Sequence, residues 1–457
     1  MTHKEKLHRV CKTLEADSIL VLFGAEKKVR NRDVLYEYRN SSDLLYLTGY
    51  NEPGMILCLT PDGKANFFLK FPDPKMERWS GKMLSPEKVQ ADFQLEKDDV
   101  RPEIAFWTDI PSLLKNKKIL YLDLTGPAEN ISRMIRTAND LNKNTRDATF
   151  GPDKIFHVNK VLHESRVLKS ADEIAKIQRA VDITAAGFID IMKYSRQTLG
   201  QAENVPLFEY NIKARIESSF KNNGAMNLAY PTIVASGNNA NYLHYEHSSR
   251  LIAPNDLVLV DAGCEWLGYA GDITRTFPAG GKFTPAQREI YDIVLGAQKV
   301  AIEHCRPGNS FESVHERAVN YIVTGLWDLG LFKEVPEVDE KRENAAVKMV
   351  KPGSISEIIE KKLYRTYYMH YTSHYLGLDV HDVGTYFNNE GTSRPLEPGM
   401  VFTVEPGIYI SEDYEFVPHA YRGIGIRIED DICITQNSAR VLSENIPRTV
   451  DELESMG

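Results

Sequence analysis

The chain has 457 residues, of which 42% are hydrophobic and 26% charged, and its formal net charge at pH 7 is −9. This composition is typical of a globular protein with room for two to three domains, and the acidic balance excludes a general nucleic-acid-binding protein, whose basic face would show in the net charge. The five cysteines lack CxxC spacing, which excludes a disulfide framework and a zinc knuckle and favours a reducing cytoplasm.

The N-terminal part, residues 1–168, is predicted to be a small α/β domain. It begins without the pattern of a cleavable signal peptide, and its longest early apolar run, residues 19–23, is too short to cross a bilayer, so we expect a cytoplasmic protein with no membrane partner. Short β-type runs alternate with helical or turn-rich segments, which is typical of such a domain. The predicted strands are residues 18–22, 44–47, 55–59 and 119–124.

Two segments of this domain carry more specific predictions. Pro61-Asp62-Gly63 separates two apolar runs and predicts the turn of a β-hairpin. The segment 71–87 is rich in Pro, Lys and Arg, and we expect it to be a solvated loop. The alternative is that its aromatic residue Trp79 is contributed to the substrate site of a neighbouring subunit.

The remaining residues, 169–457, are predicted to hold a duplicated unit of two helices and a strand pair. Capping boxes at Ser170 and Thr284 mark the first helix of each copy. The charged segment 333–365 has no strong pattern, and we expect a surface insertion. The predicted helices begin at residue 171 and span about 206–222, 285–305 and 311–329, and the predicted strands are residues 257–260, 269–277, 400–404 and 424–434.

Three of the chain's twelve histidines, His370, His374 and His381, fall within residues 369–384. Such density indicates chemistry, whereas a single histidine is more often a satisfied polar group at the edge of a core. Gly377 and the alternation of apolar and polar residues after it favour a loop or strand over a helix. No Glu follows the first histidine, as a helical zinc-peptidase motif requires. Further metal ligands must therefore come from other segments.

Four acidic residues at the ends of apolar β runs are the best partners for these histidines. Asp261 and Asp272 belong to the first strand pair, and they face each other with Cβ atoms ~5 Å apart if the hairpin turns near residues 266 and 267. Glu405 and Glu429 belong to the second strand pair. Carboxylates this close repel each other, so they must share a proton, meet cations or bind metal, and four of them favour metal.

Four carboxylates and one imidazole carry too much negative charge for one cation, so the set predicts two divalent ions that share carboxylates. Hard oxygen ligands with a single nitrogen favour manganese or cobalt over a closed structural zinc site, with zinc as a further alternative in purified protein. Two close metal ions lower the pKa of a shared water and stabilise a tetrahedral intermediate, which predicts hydrolysis of an amide or ester.

Several segments carry a family resemblance. They are NYLHY (241–245), the runs LVLVDAG and YAGDITRTF around Asp261 and Asp272, TSHYLGLDVHD (372–382), TVEPG (403–407) and IRIED (426–430). Together they resemble the pita-bread metallopeptidases, and most closely the aminopeptidase P group. Residues 42–50 and the Pro-Asp-Gly turn also resemble the N-terminal domain of that group. The resemblance implies an α/β N-terminal domain in residues 1–168 and a pita-bread catalytic domain in residues 169–457, an α+β arrangement.

This resemblance also implies roles for individual residues. The implied metal ligands are Asp261, Asp272, His374, Glu405 and Glu429, and the implied substrate-facing residues are His244, His370, His381 and Arg427. Asp272 and Glu429 would bridge the two ions. Glu405 would act as acid and base for the attacking water, His381 would hydrogen-bond the scissile carbonyl, and Arg427 would orient Glu429 and the substrate pocket.

The implied activity is that of a metallo-exopeptidase that removes the first residue from peptides with proline in second position, by attack of a hydroxide that bridges two metal ions, chiefly Mn²⁺. Members of the group are usually dimers or tetramers, so we expect a homo-oligomer. The partner is a peptide, with no nucleic acid. A bond before proline is a tertiary amide without an N–H, which excludes proteases that bind that hydrogen.

Three alternatives share this fold. A prolidase has the same five ligands and cuts only Xaa-Pro dipeptides, but prolidases tend to have Gly where Ser373 precedes the ligand histidine here. A binding protein that has lost catalysis and a metal-independent amidinohydrolase are the others. Neither has a reason to keep four mutually repelling carboxylates.

Overall fold

The computed structural model describes residues 1–143, 149–200, 205–337 and 348–456. The chain falls into two units, Met1–Arg166 and Val167–Gly457. The predicted domain boundary after residue 168 lies two residues beyond this division and stays a prediction. Among the helices of the described residues, none combines the length and the apolar character needed to cross a bilayer.

The first unit is built on a mixed β-sheet. Its strands are β1 (Ser18–Phe23), β2 (Val29–Asn31), β3 (Val34–Leu35), β4 (Ile56–Leu59), β5 (Ala65–Leu69), β6 (Val100–Pro102), β7 (Ile119–Leu122) and β8 (Lys154–His157). Its helices are α1 (His3–Thr13), α2 (Ser42–Thr48), α3 (Pro74–Ser80), α4 (Pro86–Phe93), α5 (Phe106–Leu114), α6 (Ala128–Lys143) and α7 (His163–Val167). The sheet has the order β6-β5-β4-β1-β7-β8, in which β1 runs antiparallel to β4 and parallel to β7. Buried side chains of α5 and α6 form a core with β1, β4, β5 and β7.

The hairpin predicted at Pro61-Asp62-Gly63 is confirmed, because β4 and β5 pair antiparallel with Leu59 opposite Ala65. The strand predicted at residues 44–47 is wrong. These residues lie in α2, which ends at Gly49 in a left-handed conformation with φ 71°. A run of four apolar residues does not distinguish a short buried helix from a strand, which explains the error.

The segment 71–87 is not a continuous loop, since it contains α3 and the first residues of α4. Pro74 occupies the first turn of α3, and Asp73 caps it by accepting a hydrogen bond from the backbone N–H of Lys75. This helix buries none of its side chains. The sequence of this helix therefore has no apolar periodicity, and only the capping residues indicated a helix.

The second unit alternates pairs of long helices with sets of short strands. Its helices are α8 (Ala171–Leu199), α9 (Glu209–Asn222), α10 (Pro285–His304), α11 (Phe311–Asp328), α12 (Ile355–Glu360) and α13 (Val450–Ser455). Its strands are β9 (Asn227–Leu228), β10 (Ile233–Ser236), β11 (Leu257–Ala262), β12 (Cys264–Trp266), β13 (Tyr269–Ala270), β14 (Ile273–Pro278), β15 (Val335–Glu337), β16 (Lys348–Val350), β17 (Val401–Val404), β18 (Gly407–Ile410), β19 (Ile424–Arg427), β20 (Asp430–Ile434) and β21 (Ala439–Val441).

The predicted duplication is visible in this order of elements. α8 and α10 begin at the predicted capping boxes, where Ser170 and Thr284 accept hydrogen bonds from the backbone three residues on. α8 packs against β12, β13 and β14, and α10 packs against β17, β18 and β19. The two strand sets meet where β14 contacts β19 and β20. This junction brings the acidic residues of both copies to one place.

The first strand pair has a different register from the predicted one. Its turn lies at Leu267 and Gly268, whose φ angles of 49° and 86° are those of a tight two-residue hairpin turn. Asp261 consequently pairs with Thr274 and not with Asp272. A slip of two residues keeps side chains on the same face, so Asp261 and Asp272 are diagonal neighbours on that face.

The strand predicted at residues 424–434 is divided into β19 and β20. Between them, Ile428 donates its backbone N–H to the carbonyl of Pro406 at 3.3 Å, and Glu429 donates to the carbonyl of Thr274 at 3.0 Å. The chain therefore leaves one ladder and bonds to β14 of the other strand set at the position of the candidate ligand Glu429.

The segment 333–365, predicted as a surface insertion, contributes to the packing of the unit. It contains β15, β16 and α12, and the side chains of Val335 and Ile358 are fully buried. Residues 338–347 of this segment lie outside the described residues.

All five cysteines are buried and free of disulfides. Burial raises the pKa of Cys11 to about 11 and the pKa values of Cys58 and Cys305 to about 12. Each of these thiols is thus protonated and unreactive at neutral pH.

Candidate metal centre

One cavity of about 1260 Å³ in the second unit is lined by all nine site residues predicted between residues 244 and 429. Its four acids lie at strand ends: Asp261 near the end of β11, Asp272 directly before β14, Glu405 directly after β17 and Glu429 between β19 and β20. His370, His374 and His381 come from the loop between α12 and β17. The position of the acids at strand ends lets their apolar neighbours remain in the core while the carboxylates face the cavity.

The candidate ligands approach each other closely. One ligand atom each of Asp272, His374 and Glu429 lies within 4.8 Å of the other two. His374 Nε2 is 3.3 Å from Asp272 Oδ2 and 3.4 Å from Glu405 Oε1. The hydroxyl of Tyr230 joins the fifth residue to this group, since it lies 2.6 Å from Asp261 Oδ1 and 2.5 Å from Asp272 Oδ1.

Backbone and side-chain hydrogen bonds orient His374. Its N–H donates to Thr403 Oγ1 at 3.2 Å, and its carbonyl accepts from the N–H of Thr403 at 3.0 Å. Its Nδ1 lies 3.1 Å from the carbonyl of Tyr375, a contact that assigns a proton to Nδ1 and turns Nε2 toward the acids. This is the arrangement expected of a histidine that binds metal through Nε2.

The electrostatics of the cavity are those of crowded acids. Burial and the charges of Asp272 and Asp261 raise the pKa of Glu405 to about 7, against the opposing effect of His374 and Arg427. Burial and the charges of Asp272 and Glu405 raise the pKa of Glu429 well above its ordinary value. Burial works to lower the pKa of His374, but hydrogen bonding to Asp272 and the charge of Glu405 raise it to about 9.

The residues present fit a pair of divalent cations. The four carboxylates, of which those of Asp272 and Glu429 are buried, repel one another, and such a group is stabilised by positive charge placed between the oxygens. The donor set of oxygens with one imidazole nitrogen matches manganese, cobalt or zinc. By contrast, the neighbouring Asp430 is compensated by Arg275 and Arg448, each at 2.6 Å, and is not a candidate ligand.

Arg427 contacts one acid directly and a second acid through a threonine hydroxyl, and its predicted role in orienting Glu429 stays a prediction. Its Nη2 is 2.5 Å from Asp261 Oδ2, whereas Glu429 is reached only through Thr274. Thr274 Oγ1 accepts from Arg427 Nε at 3.1 Å and donates to Glu429 Oε2 at 2.7 Å. Arg427 Nη1 also donates to the hydroxyl of Tyr409 at 2.9 Å. The guanidinium therefore forms direct hydrogen bonds to both Asp261 and Tyr409.

The three other predicted histidines line the same cavity as the acids. His370 Nε2 is 2.8 Å from the Tyr409 hydroxyl, and burial together with Arg427 lowers the pKa of His370 to about 3. His381 packs its ring at 4.3 Å from the ring of His374, and burial lowers its pKa. His244 lines the same cavity. His370 and His381 are accordingly neutral at pH 7, as hydrogen-bonding groups for a substrate would be.

Trp79 lies in α3 of the first unit, with 89% of its surface exposed. An exposed tryptophan is free to be covered by another molecule, and its predicted role at a neighbouring subunit stays a prediction.

Several polar residues that contact the residues of the site were not among the predicted site residues. Thr274 shared the strand alternation of Asp272 and was detectable from it. Tyr230 and Tyr409 reach the acids from other elements, and no local pattern marked them. Asp431, which is fully buried, accepts the backbone N–H of Asp272 on Oδ2 at 3.0 Å, while its Oδ1 has no hydrogen-bond partner among the described residues.

Comparison with known proteins decides the family. A sequence model described as metallopeptidase family M24 matches residues 175–436, and one described as aminopeptidase P, N-terminal domain, matches residues 3–121. The chain belongs to metallopeptidase family M24. Its relatives include the Xaa-Pro aminopeptidase of Haemophilus influenzae, which is 39% identical over 99% of this chain and 96% of that protein, and the Xaa-Pro aminopeptidase of Escherichia coli, which is 38% identical over 97% and 94%.

Solved structures agree with this M24 assignment. The aminopeptidase PepP of Pseudomonas aeruginosa superposes with a TM-score of 0.89 at 36% identity, covering 99% of this chain and 97% of that one. Zinc-substituted E. coli aminopeptidase P in complex with product gives a TM-score of 0.88 at the same identity and coverage. The resemblance to aminopeptidase P and the predicted α/β N-terminal domain with a pita-bread catalytic domain are confirmed.

The M24 chain is therefore an enzyme, a hydrolase of the aminopeptidase P group. The prolidase alternative is not favoured, because the Xaa-Pro aminopeptidases above match the chain over almost its whole length. Use of divalent metal is supported by the family and by the cluster of Asp272, His374 and Glu429.

Proposed function

We propose that this M24 peptidase removes the N-terminal residue from peptides with proline in second position. The observation that carries the proposal is the match to Xaa-Pro aminopeptidases over 97–99% of the chain. It is supported by a cavity in which buried acids and one histidine have the donor set of a hydrolytic metal centre.

The proposed ligands are Asp261, Asp272, His374, Glu405 and Glu429, holding two divalent ions. Manganese is the metal that this oxygen-rich set favours, with cobalt and zinc as alternatives. When bound, such ions lower the pKa of a water molecule and polarise the scissile carbonyl. The four carboxylates and the imidazole hold this positive charge in a cavity from which bulk water is partly excluded.

Glu405 has the proton-transfer role. Its carboxylate accepts a proton from the attacking water and then releases it. The proton is needed at the prolyl nitrogen, because an amine leaves far more readily once it is protonated. Thr403 Oγ1 donates to Glu405 Oε1 at 3.3 Å and keeps one oxygen in place during the transfer.

The neutral histidines bind and orient the peptide. His381 Nε2 or Nδ1 donates to the oxygen of the scissile carbonyl as negative charge develops there. His370, fixed by the Tyr409 hydroxyl, and His244 contact the peptide on either side of the acids. Arg427 pairs with Asp261 and favours its charged form, and it donates a hydrogen bond to Tyr409, whose hydroxyl contacts His370.

The substrate's free amino group is the reason for exopeptidase action. An ammonium or amine placed among Asp261, Asp272 and the other acids is stabilised there, whereas an internal peptide bond offers no such group. The acidic cavity thus selects the end of the chain.

We also propose a cellular compartment and an oligomeric state. We propose the cytoplasm as the compartment, because five free and buried cysteines suit a reducing environment. We also propose a dimer or tetramer in which Trp79 of one subunit faces the peptide bound by another, since so exposed a tryptophan is well placed for such a contact.

The test supplies purified protein with Mn²⁺ and measures release of the first residue. Xaa-Pro-Yaa tripeptides, Xaa-Pro dipeptides and Xaa-Ala-Yaa tripeptides are compared at equal concentration, with apoprotein as the control. We expect hydrolysis of the first set. Cleavage of dipeptides alone would reassign the enzyme as a prolidase, and no cleavage by protein with bound metal would contradict the peptidase assignment.

A further inference from the structure

A buried ion pair lies beside the loop that carries the site's histidines. Lys169 Nζ is 2.9 Å from Asp382 Oδ2, and both side chains are only 1% exposed. Asp382 directly follows His381 in the chain, and Lys169 directly precedes Ser170, the N-cap residue of α8. Charged residues are rarely buried so completely, and neither partner is a candidate metal ligand.

A backbone hydrogen bond of Asp382 closes a short loop between two site residues. Asp382 donates its backbone N–H to the carbonyl of Tyr375 at 2.9 Å, which joins the residue after His374 to the residue after His381. The two imidazole rings consequently lie with centroids 4.3 Å apart and planes at 73°. The position of His381 relative to His374 thus depends on how Asp382 is held.

Lys169 ties this loop to the framework of the second unit. Its backbone N–H donates to the carbonyl of Gly399 at 2.8 Å, two residues before β17 begins. β17 ends one residue before Glu405. One lysine therefore links the loop of His381 to the strand that leads to Glu405.

The space next to Asp382 Oδ2 is also restricted by the backbone at Gly377. A Cβ placed on Gly377 would lie 2.1 Å from Asp382 Oδ2 and 3.0 Å from Lys169 Cε. A side chain at position 377 would force the Asp382 carboxylate to shift, so the carboxylate is confined between the ammonium group and the backbone of the loop.

An ion pair of this kind has little net effect on folding stability. The cost of removing two charges from water offsets their attraction, and apolar replacement of both partners is often neutral. The strong contribution of the pair is geometric, because a charge-assisted hydrogen bond at 2.9 Å in a close-packed interior fixes both groups.

We propose that Lys169 is a positioning residue that holds His381 at the reacting carbonyl through Asp382. This proposal rests on the proposed function, in which His381 contacts the peptide and Lys169 and Asp382 do not. A group that stabilises the transition state must be held to a fraction of an ångström, and its displacement lowers the rate more than it weakens substrate binding.

The first test replaces both partners by apolar residues, Lys169→Met with Asp382→Leu, in the full chain loaded with Mn²⁺. We expect kcat on an Xaa-Pro-Yaa peptide to fall roughly tenfold to a hundredfold. We expect KM to change by less than about threefold, because the lost interaction belongs to the transition state. Metal content and Tm stay near those of the parent. Lys169→Arg keeps the ion pair and retains kcat within about threefold.

The second test perturbs the contact between Lys169 and Asp382 sterically, without removing a charge. Gly377→Ala places a methyl group against Asp382 Oδ2 and displaces the carboxylate. We expect the same loss in kcat with metal retained. The matched control is Arg166→Met with Asp43→Leu, the same chemical change at a buried ion pair of the first unit, for which we expect parental kcat at any temperature below Tm.

The outcomes separate clearly. Parental kcat in a folded, metal-loaded double variant or in Gly377→Ala overturns the proposal. So does failure of both to fold, because the pair would then serve stability and not position. If the parent protein itself cleaves no Xaa-Pro-Yaa peptide, the proposed function is wrong. This outcome is distinct from an error in the proposed role of Lys169.

Discussion

Arg427 and Asp261 form an ion pair inside the acidic cavity, with Nη2 2.5 Å from Oδ2. The same guanidinium donates to Tyr409, whose hydroxyl lies next to His370. We expect Arg427→Met to lower kcat/KM on an Xaa-Pro-Yaa peptide roughly a hundredfold, because a buried charge-assisted network loses its centre. Steady-state kinetics measures the loss.

Metal binding should survive the same change, since removal of a cation leaves the acids more negative. Elemental analysis of Arg427→Met checks this, with Arg427→Lys as the control that keeps the charge but not the paired hydrogen bonds. Loss of metal from the methionine variant alone would mean that Arg427 orders the ligands themselves.

Variants of the proposed ligand acids should lose both metal and activity, whereas a variant of the substrate-facing histidine should lose activity alone. We expect Asp272→Ala or Glu429→Ala to reduce bound metal and to lower activity by at least about a hundredfold. We expect His381→Ala to keep metal and to lower kcat by roughly 10²-fold to 10³-fold, the typical effect of one lost donor at a developing oxyanion. Metal content and kcat are measured on the same preparations.

Glu444→Ala, a change at an exposed acid of the same unit, is the control for these variants. A His381→Ala protein without metal, or an Asp272→Ala protein with a full complement, would show that the ligand assignment is wrong.

Thr274 connects Arg427 to Glu429 through a single hydroxyl. Thr274→Val removes that hydroxyl and keeps the shape of the side chain, so we expect Mn²⁺ affinity to fall roughly tenfold to a hundredfold because Glu429 is no longer oriented. Calorimetric titration of apoprotein measures the affinity, and Thr274→Ser should restore it. If Thr274→Val binds Mn²⁺ as tightly as the parent protein, the Thr274 hydroxyl does not orient Glu429.

Asp43 of the first unit makes the stability of that unit sensitive to acid. Burial would raise the pKa of Asp43, but the hydrogen bond from His163 and the charge of Arg166 lower it below its ordinary value. We expect Asp43→Asn to cost about 3 kcal/mol at neutral pH, because the buried guanidinium of Arg166 loses the carboxylate that compensates its charge.

The sign of the pH dependence follows from the lowered pKa. The stabilisation is complete above the unfolded pKa of about 4 and is lost as the pH falls through the folded pKa. The difference in Tm between parent and variant should therefore shrink as the solution is acidified below that value. Asp17→Asn, which disrupts an exposed pair with Lys118, should show no measurable difference at any pH.

The ligand acids could be predicted from the sequence because each follows or ends an apolar β run. That pattern places a polar group where a strand leaves the core. Tyr230 could not be found in this way, since it reaches Asp261 and Asp272 from a separate segment. Its contacts are long-range, and a single sequence contains no local trace of them.

The fold was predictable where capping residues and long periodic helices marked it, as at Ser170 and Thr284. The register of the first hairpin was not, because the turn residues Leu267 and Gly268 lack the Asn-Gly or Asp-Gly pattern that usually identifies such turns. The interruption at Glu429 was invisible for a different reason. It arises from a hydrogen bond to Thr274, 155 residues away in the chain.

Because all five thiols are buried, the native chain does not react with sulfhydryl reagents. A cysteine introduced on the surface would therefore be the one group that a maleimide fluorophore or nitroxide labels. With such a probe at position 79, through Trp79→Cys, the proposed oligomer can be tested by distance measurements between labels without any background mutations.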